Sequence, residues 1–404
     1  MELEEDINNS RLFNINEFQF RLTNIQSLML LQQIDAILLT TKTDIHYFSG
    51  LISQFWESPT RPVYLILPAI GDSPIAIIPE IFNESFKLTW VKYIYTWPAP
   101  CLEDDGISIL INKLKIYKKI GMPMGIESQL RMPLSHILYI MEQLSNKYYI
   151  KFINISNLIN QIRLVKSPAE IEKIRKSCQI ASKSFQSLSI KIKELCKREK
   201  FKSLSERQII KELHKNLIEN GADKVPFIIG KCDHNGSKSI INGPTDKIVL
   251  SEEVMVIDVG VVYDEYYCDF NRNYAINYSN PYMREANAHL WYATEVALSI
   301  AKPGITFGDL WKAQSDYLIS QGYDPKFFDT GRLGHSIGLS LTELPSVCKN
   351  ESTKLKAGMV LSIEPNIPLN DNKLLVHEEC IAITDNGYEL LTIRAPIDFY
   401  YLHI

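Results

Sequence analysis

The 404-residue sequence has few cysteines, no large excess of charge of either sign and no long apolar run. Its seven cysteines form no Cys-x-x-Cys pair and are odd in number, which argues against a disulfide framework and favours reduced thiols in a cytoplasmic protein. A formal net charge of −4 gives no general affinity for nucleic acid or for an anionic membrane. Because no apolar run approaches about 18 residues, and the acidic N-terminus resembles no leader, we expect neither a membrane span nor a secretory signal.

The most informative stretch runs from Val254 to Ile276 and has the pattern of a β-hairpin. An apolar run, typical of a strand buried on both faces, leads to the polar turn Tyr263-Asp264-Glu265, and a second strand returns. Asp258 and Asp269 are equally far from the middle of this turn, so we expect them to face each other directly, roughly 5 Å apart. We expect the two acidic turn residues to be solvated. Two buried carboxylates would repel each other unless a cation lies between them.

A second stretch, Met359 to Thr384, repeats the pattern with Glu364 and Glu378 at equal distances from a turn at Asn370–Asn372. Each carboxylate pair could instead be an ordinary cross-strand pair on the surface, but the flanking residues are too apolar for surface strands. Four oxygen donors suit one or two divalent ions, and two ions could hold and activate a bridging water.

His335 lies in a glycine-rich segment, Asp329 to Ser346. A single histidine is more often a satisfied polar residue than a ligand, yet closely spaced glycines indicate backbone that approaches something tightly. In a chain that already offers four oxygen donors, we expect His335 to be a metal ligand. An imidazole suits Zn, Mn, Co or Fe better than Mg or Ca.

Alternating strands and helices predict an α/β domain over residues 1–160, in which the first ten residues are frayed and His46–Leu51 is a strand. Ser167-Pro168-Ala169-Glu170 has the pattern of a helix start and opens a second domain, residues 161–404. Within it, we expect a loop from Cys232 to Gly236. The whole chain is thus expected to be α+β.

The set Asp258, Asp269, His335, Glu364 and Glu378 resembles, in its order, the five metal ligands of the pita-bread metallopeptidase family. That family includes methionine aminopeptidase, aminopeptidase P, prolidase and the metal-free creatinase. The local strings IDVG, GHSIGL, SIEP and HEE agree with it. The resemblance implies a curved antiparallel sheet with outer helices in residues 161–404, a smaller creatinase-type α/β domain before it, and a homodimer.

The resemblance also implies roles for the five residues. Asp258 would bind one of two divalent ions (Mn, Co, Zn or Fe), Asp269 and Glu378 would bridge both ions, and His335 and Glu364 would complete the second. Glu364 would also be catalytic, moving protons to and from a hydroxide that bridges the ions. The implied activity is metal-dependent hydrolysis of short peptides, of the Xaa-Pro dipeptidase or aminopeptidase type.

The sequence departs from the aminopeptidase P and prolidase pattern at three positions. Ile241 and Thr342 stand where those enzymes have histidines, and Val376 stands where they have an arginine. Those side chains contact the scissile group, and the loss of one such donor typically costs a hundredfold or more in rate. His234 or His377 could substitute; we favour His234 as catalytic, because alternation along a strand would point His377 away from the side of Glu378.

These departures leave two alternatives open. Relatives on the same scaffold, such as creatinase, ectoine hydrolase and a dimethylsulfoniopropionate lyase, act on small non-peptide molecules, so the chain could be a metal-dependent hydrolase or lyase of that kind. It could also be a non-catalytic binding protein, although such a protein has no need of four buried carboxylates. For substrate binding the candidates are Arg332, as a carboxylate anchor or else a structural salt bridge, with Thr342 and the aromatic Trp56.

Overall fold

The computed structural model describes residues 13–58, 61–101, 103–200, 203–239 and 241–404. These residues divide into two compact units, the first ending at Arg163 and the second beginning at Leu164. The first ten residues, expected to be frayed, lie outside the described residues. Both units combine helices with sheets, so the α+β prediction is confirmed.

The first unit is a mixed sheet with helices packed against it. Its strands are β1 (Ala36–Leu39), β2 (Tyr64–Pro68), β3 (Ile75–Pro79), β4 (Tyr93–Trp97), β5 (Lys119–Met122) and β6 (Lys151–Asn154). Its helices are α1 (Ile15–Leu31), α2 (Lys42–Ser49), α3 (Asn83–Lys87), α4 (Ile107–Leu114), α5 (Leu134–Tyr148) and α6 (Ser156–Leu164). The strand order is β4-β3-β2-β1-β5-β6, and the core lies between this sheet and helices α4 and α5.

Helix α2 corrects the prediction of a strand at His46–Leu51. Thr41 caps its N-terminus by accepting a hydrogen bond from the Asp44 N–H at 3.2 Å. Gly50, at φ 78°, ends the helix in the left-handed conformation that glycine adopts most readily. The two caps decide the conformation here, because a short aromatic run is compatible with either helix or strand.

The second unit contains two sheets and a separate hairpin. Its strands are β7 (Lys224–Asp233), β8 (Val254–Tyr263), β9 (Tyr266–Tyr267), β10 (Phe270–Ile276), β11 (Gly334–Ser336), β12 (Glu343–Ser346), β13 (Val360–Ile363), β14 (Asn366–Leu369), β15 (Lys373–Val376), β16 (Glu379–Ile383), β17 (Tyr388–Leu390) and β18 (Tyr400–Leu402). The sheet orders are β18-β10-β8-β7, with β9 beside β8, and β12-β11-β13-β16-β17, while β14 pairs with β15. Strand β7 includes Cys232 and Asp233, so the loop predicted from Cys232 begins two residues later.

Long helices pack against these sheets. They are α7 (Pro168–Glu199), α8 (Glu206–Glu219), α9 (Pro281–Ile300) and α10 (Phe307–Ser320). The predicted start of α7 is confirmed: Ser167 and Glu170 form a capping box, and Pro168 occupies the first turn. The apolar face of α7 packs on the sheet that contains β8 and β10, where the rings of Phe185 and Phe270 lie 5.5 Å apart. Helices α9 and α10 share a core with strands of both sheets.

The aspartate hairpin forms, but its register differs from the predicted one by two residues. Tyr263 pairs with Tyr266 across a two-residue turn, so Asp258 pairs with Asn271 and not with Asp269. A shift of two residues keeps every side chain on its face, and both aspartates therefore still share one face of the sheet.

The acidic turn of this hairpin is packed against its neighbours, which corrects the prediction of solvated residues. Asp264 and Glu265 both have positive φ, 50° and 67°, as a tight two-residue turn requires. Asp264 is buried and forms an ion pair with Lys173 on α7, and Lys224 lies 2.7 Å from Glu265.

The glutamate hairpin has the predicted register. Ile363 pairs with Glu379 on one side of the two glutamates, and Asn366 pairs with Val376 on the other. Counting along both strands places Glu364 opposite Glu378, as the sequence predicts.

Candidate metal centre

Three carboxylates from the two hairpins converge in the second unit. One oxygen of each of Asp258, Asp269 and Glu378 lies within 4.8 Å of the other two. Burial raises the pKa of all three carboxyls well above the usual range, and the charges of neighbouring carboxylates add to the effect. A protein keeps such a cluster ionised only with a positive charge among the oxygens.

His335, on β11, joins the cluster from the second sheet. Its Nε2 lies 3.2 Å from Oδ2 of Asp269 and 3.7 Å from Oε2 of Glu364. Its Nδ1 lies 2.9 Å from the carbonyl oxygen of Ser336, which can only accept, so Nδ1 carries the proton. Burial lowers the pKa of His335 despite the nearby Glu364, and the ring is neutral at neutral pH. A neutral imidazole with a free Nε2 is the form that binds metals.

Two oxygens of the cluster are buried and accept no hydrogen bond from any described residue: Oδ1 of Asp258 and Oε2 of Glu364. Unpartnered buried acceptors are rare and need an explanation. Hard carboxylate oxygens together with one imidazole nitrogen fit Mn, Zn, Co or Fe. The five residues singled out in the sequence therefore meet in one place and have the chemistry of a divalent-metal site.

A buried ion pair that the sequence does not predict lies directly behind this cluster. Arg272 donates to Oε2 of Glu379 at 2.9 Å and to the carbonyl oxygen of Glu378 at 2.8 Å. Burial alone would raise the pKa of Glu379, but the charges of Arg272 and Arg394 lower it. The sequence feature that could have indicated this ion pair is Glu379, a carboxylate next to Glu378 in an otherwise apolar strand.

His377 belongs to the same buried layer. Its Nδ1 lies 3.0 Å from Oγ1 of Thr294, and its Nε2 lies 3.5 Å from the Arg394 guanidinium and 3.9 Å from Glu379. Burial lowers the pKa of His377 to about 3, so it is neutral at neutral pH. The contacts of its side chain are with α9 and with residues that follow Glu378.

His234 lies just beyond the end of β7, where Asp233 pairs with Val254. Val254 precedes Asp258 by four residues, which corresponds to about 13 Å along a strand. The side chain is half exposed, with Nε2 3.9 Å from Glu253. The structure thus does not bring His234 to the cluster by strand pairing, and its catalytic role stays a prediction.

Arg332 and Thr342 meet at the edge of the cluster. Nη2 of Arg332 lies 3.4 Å from the Thr342 hydroxyl, and its Nε lies 4.0 Å from Oε2 of Glu364. The Arg332 side chain is 36% exposed, which leaves it accessible to a ligand. Of the other departures from the family pattern, Ile241 is exposed and Val376 is buried.

Trp56 belongs to the first unit, where the Arg131 guanidinium lies 5.0 Å from the centroid of its ring. It is 7% exposed. Its role in substrate binding stays a prediction.

Comparison with known proteins identifies the family. Residues 172–385 match the model of metallopeptidase family M24, and residues 21–165 match the creatinase/prolidase N-terminal domain. The chain belongs to metallopeptidase family M24. As a member of this family it is a metal-dependent peptide hydrolase, which confirms the predicted enzyme class.

Similar proteins match this chain over nearly its whole length. An Xaa-Pro dipeptidase of Pyrococcus horikoshii is 29% identical over 398 residues, 96% of this chain and 98% of that protein. The crystal structure of the prolidase from the same organism has a TM-score of 0.75 at 26% identity and covers 93% of this chain and 98% of that one.

A dipeptidase of Mycobacterium ulcerans is similar in fold, with a TM-score of 0.81 at 22% identity over 97% of this chain and 100% of that one. The predicted creatinase-like N-terminal part and pita-bread C-terminal part are confirmed. None of the helices in the described part of the chain is long and apolar enough to cross a membrane.

Proposed function

We propose that the chain is an Xaa-Pro dipeptidase or aminopeptidase that acts with two divalent ions bound by Asp258, Asp269, His335, Glu364 and Glu378. One observation carries the proposal: buried carboxylates from both hairpins converge with a neutral imidazole, and two of the carboxylate oxygens have no described hydrogen-bond donor. Mn, Co, Zn and Fe all suit this donor set.

Each residue of the site would have a separate role in the reaction. A bound divalent ion would polarise the scissile carbonyl and lower the pKa of a water. His335 keeps its proton on Nδ1, so that Nε2 stays available as a donor atom. Glu364 has a free oxygen at the edge of the cluster and would take the proton of the attacking water and deliver it to the leaving amine.

Arg332 would select the substrate. Its guanidinium lies beside Glu364 and Thr342 and is partly exposed, so it can pair with the carboxylate of a short peptide whose scissile bond lies at the centre. In a dipeptide, the terminal carboxylate lies one residue beyond the scissile bond. This role favours dipeptides over longer substrates.

We also propose a domain boundary at residues 160 and 161, a homodimer and a cytoplasmic location. Free cysteines support the last of these, since all seven are unpaired and four of them are buried. The homodimer rests on the family resemblance, in which one subunit's N-terminal domain closes the site of its neighbour.

The experiment is turnover of Xaa-Pro dipeptides and tripeptides by the metal-stripped protein after addition of Mn²⁺ or Co²⁺, with Asp269→Ala as the control. Metal-dependent activity that disappears in the variant supports the proposal. Bound metal without turnover of any peptide would instead favour a small non-peptide substrate, as Ile241 and Thr342 in place of histidines suggest. Absence of bound metal would contradict both.

A further inference from the structure

Asn271, on β10, is paired directly with Asp258. Directly opposite residues of an antiparallel pair point to the same face, with Cβ atoms about 5 Å apart. The adjacent Phe270 and the later Tyr274 contact Phe185 of α7 on the other face. Asn271 therefore shares the face of Asp258, and it is only 1% exposed.

Hydrogen bonds fix the direction in which the Asn271 carboxamide oxygen points. Its Nδ2 donates to Oδ1 of Asn273 and to the carbonyl oxygen of Val376, both at 3.0 Å. The amide group is thus committed to these two partners, and Oδ1 is directed away from them. Within the described part of the chain no group donates to this Oδ1, and the same holds for Oδ1 of Asp258 across the strand pair.

Two neighbouring buried acceptors without a donor are costly unless a cation or its bound water lies between them. We propose that Asn271 is a further residue of the metal centre, whose Oδ1 is a neutral oxygen ligand of the ion that Asp258 binds. An amide oxygen suits Mn²⁺ as a carboxylate does, and it adds no charge to a site that already holds four carboxylates. This assignment rests on the metal centre of the proposed function.

Asn273 offers a matched control on the same face of β10. It is 7% exposed and also donates to the Val376 carbonyl oxygen, at 2.8 Å. Its Nδ2 also donates to Asn287, and its Oδ1 accepts from Asn271. Asn273→Leu therefore breaks a comparable set of hydrogen bonds, including the one from Asn271, but Asn271 keeps its Oδ1 and its hydrogen bond to the Val376 carbonyl.

The test is Mn²⁺ binding by the metal-stripped full-length chain, measured by calorimetry, together with the visible spectrum of the Co²⁺-loaded protein. Asn271→Leu is expected to weaken at least one binding step by about tenfold or more and to alter the Co²⁺ spectrum, whereas Asn273→Leu stays within about twofold of the wild type. Unchanged binding in Asn271→Leu, or an equal loss in both variants, overturns the assignment.

Asn271→Asp separates the oxygen from the amide donors, because it keeps an oxygen at this position and loses both N–H groups. It is expected to bind Mn²⁺ at least as tightly as the wild type. If Asn271→Asp binds Mn²⁺ as weakly as Asn271→Leu, the N–H donors of Asn271 account for the loss of affinity and the assignment fails. If circular dichroism shows that Asn271→Leu does not fold, Asn271→Asp is the variant that tests the assignment. A wild-type protein that binds neither ion would overturn the proposed function along with the assignment.

Discussion

The Nε2 atom of His335 lies 3.2 Å from Oδ2 of Asp269, so an unprotonated imidazole nitrogen faces a carboxyl oxygen. The Ser336 carbonyl holds the imidazole proton on Nδ1. Burial lowers the pKa of His335, and burial followed by the Glu364 charge raises the pKa of Asp269. At this distance the two atoms are stable only with the proton of the carboxyl or with a cation between them.

His335→Ala is expected to lower the affinity for Mn²⁺ by at least about tenfold, because it removes the one nitrogen donor of the cluster. Calorimetry on the metal-stripped protein measures the change. His289→Ala, on α9 and hydrogen-bonded to Tyr323, is the control and should bind Mn²⁺ as the wild type does. Full affinity in His335→Ala would mean that the histidine is not a ligand.

The metal-free protein should lose stability as the pH rises. Asp258, Asp269 and Glu378 have pKa values raised in the folded state, so their contribution to stability is fully present only below about pH 4, the unfolded range, and is lost toward the folded pKa. Bound metal replaces the protons and removes the repulsion. The same Mn²⁺ concentration should therefore raise Tm more at pH 8 than at pH 5.5.

If this concentration is 100 times Kd at pH 8, the gain in unfolding free energy there is about 2.7 kcal/mol, or roughly 5–10 °C for a unit of this size. Differential scanning calorimetry of the full-length chain at both pH values measures it. Asp269→Ala should show little gain at either pH. An equal gain at pH 5.5 and pH 8 in the wild type would show that the carboxyls are already ionised in the metal-free protein.

Much of the candidate site could be predicted because side chains alternate between the two faces of a strand, so every second residue points to the same face. The predicted register of the aspartate hairpin was wrong by two residues, yet Asp258 and Asp269 remained on one face. The order of the five ligand-type residues and their local strings identified the family from the sequence. The structure added how they converge: carboxylates from both hairpins meet His335 from β11.

Contacts that depend on packing between distant segments could not be predicted. Arg272 and Glu379 are 107 residues apart in sequence, and only the way in which the two sheets meet brings them together. Likewise, Asp264 and Glu265 have the composition of a solvated turn, but Lys173 and Lys224 lie against them. Local pattern gives no information about such partners.

Glu379→Gln is expected to destabilise the second unit by about 3–5 kcal/mol, because it leaves Arg272 buried beside a neutral partner. This loss corresponds to roughly 6–20 °C in the Tm of that unit, measured by calorimetry. The control is Glu389→Gln, which breaks a more exposed pair with Arg175 and should cost less than about 1 kcal/mol. Equal effects of the two variants would mean that Arg272 is not dependent on Glu379.

Arg332→Gln should raise KM for Xaa-Pro dipeptides, because it removes the partly exposed cation 4.0 Å from Glu364 that we propose pairs with the substrate carboxylate. A charge-assisted hydrogen bond contributes about 1.5–3 kcal/mol, which corresponds to a loss in kcat/KM of roughly 10- to 100-fold. Dipeptide amides lack the carboxylate, so wild type and variant should hydrolyse them at similar rates. The dipeptide amide keeps the scissile bond. An equal loss in kcat/KM for dipeptides and for their amides would therefore mean that Arg332 supports Glu364 and does not bind the substrate carboxylate.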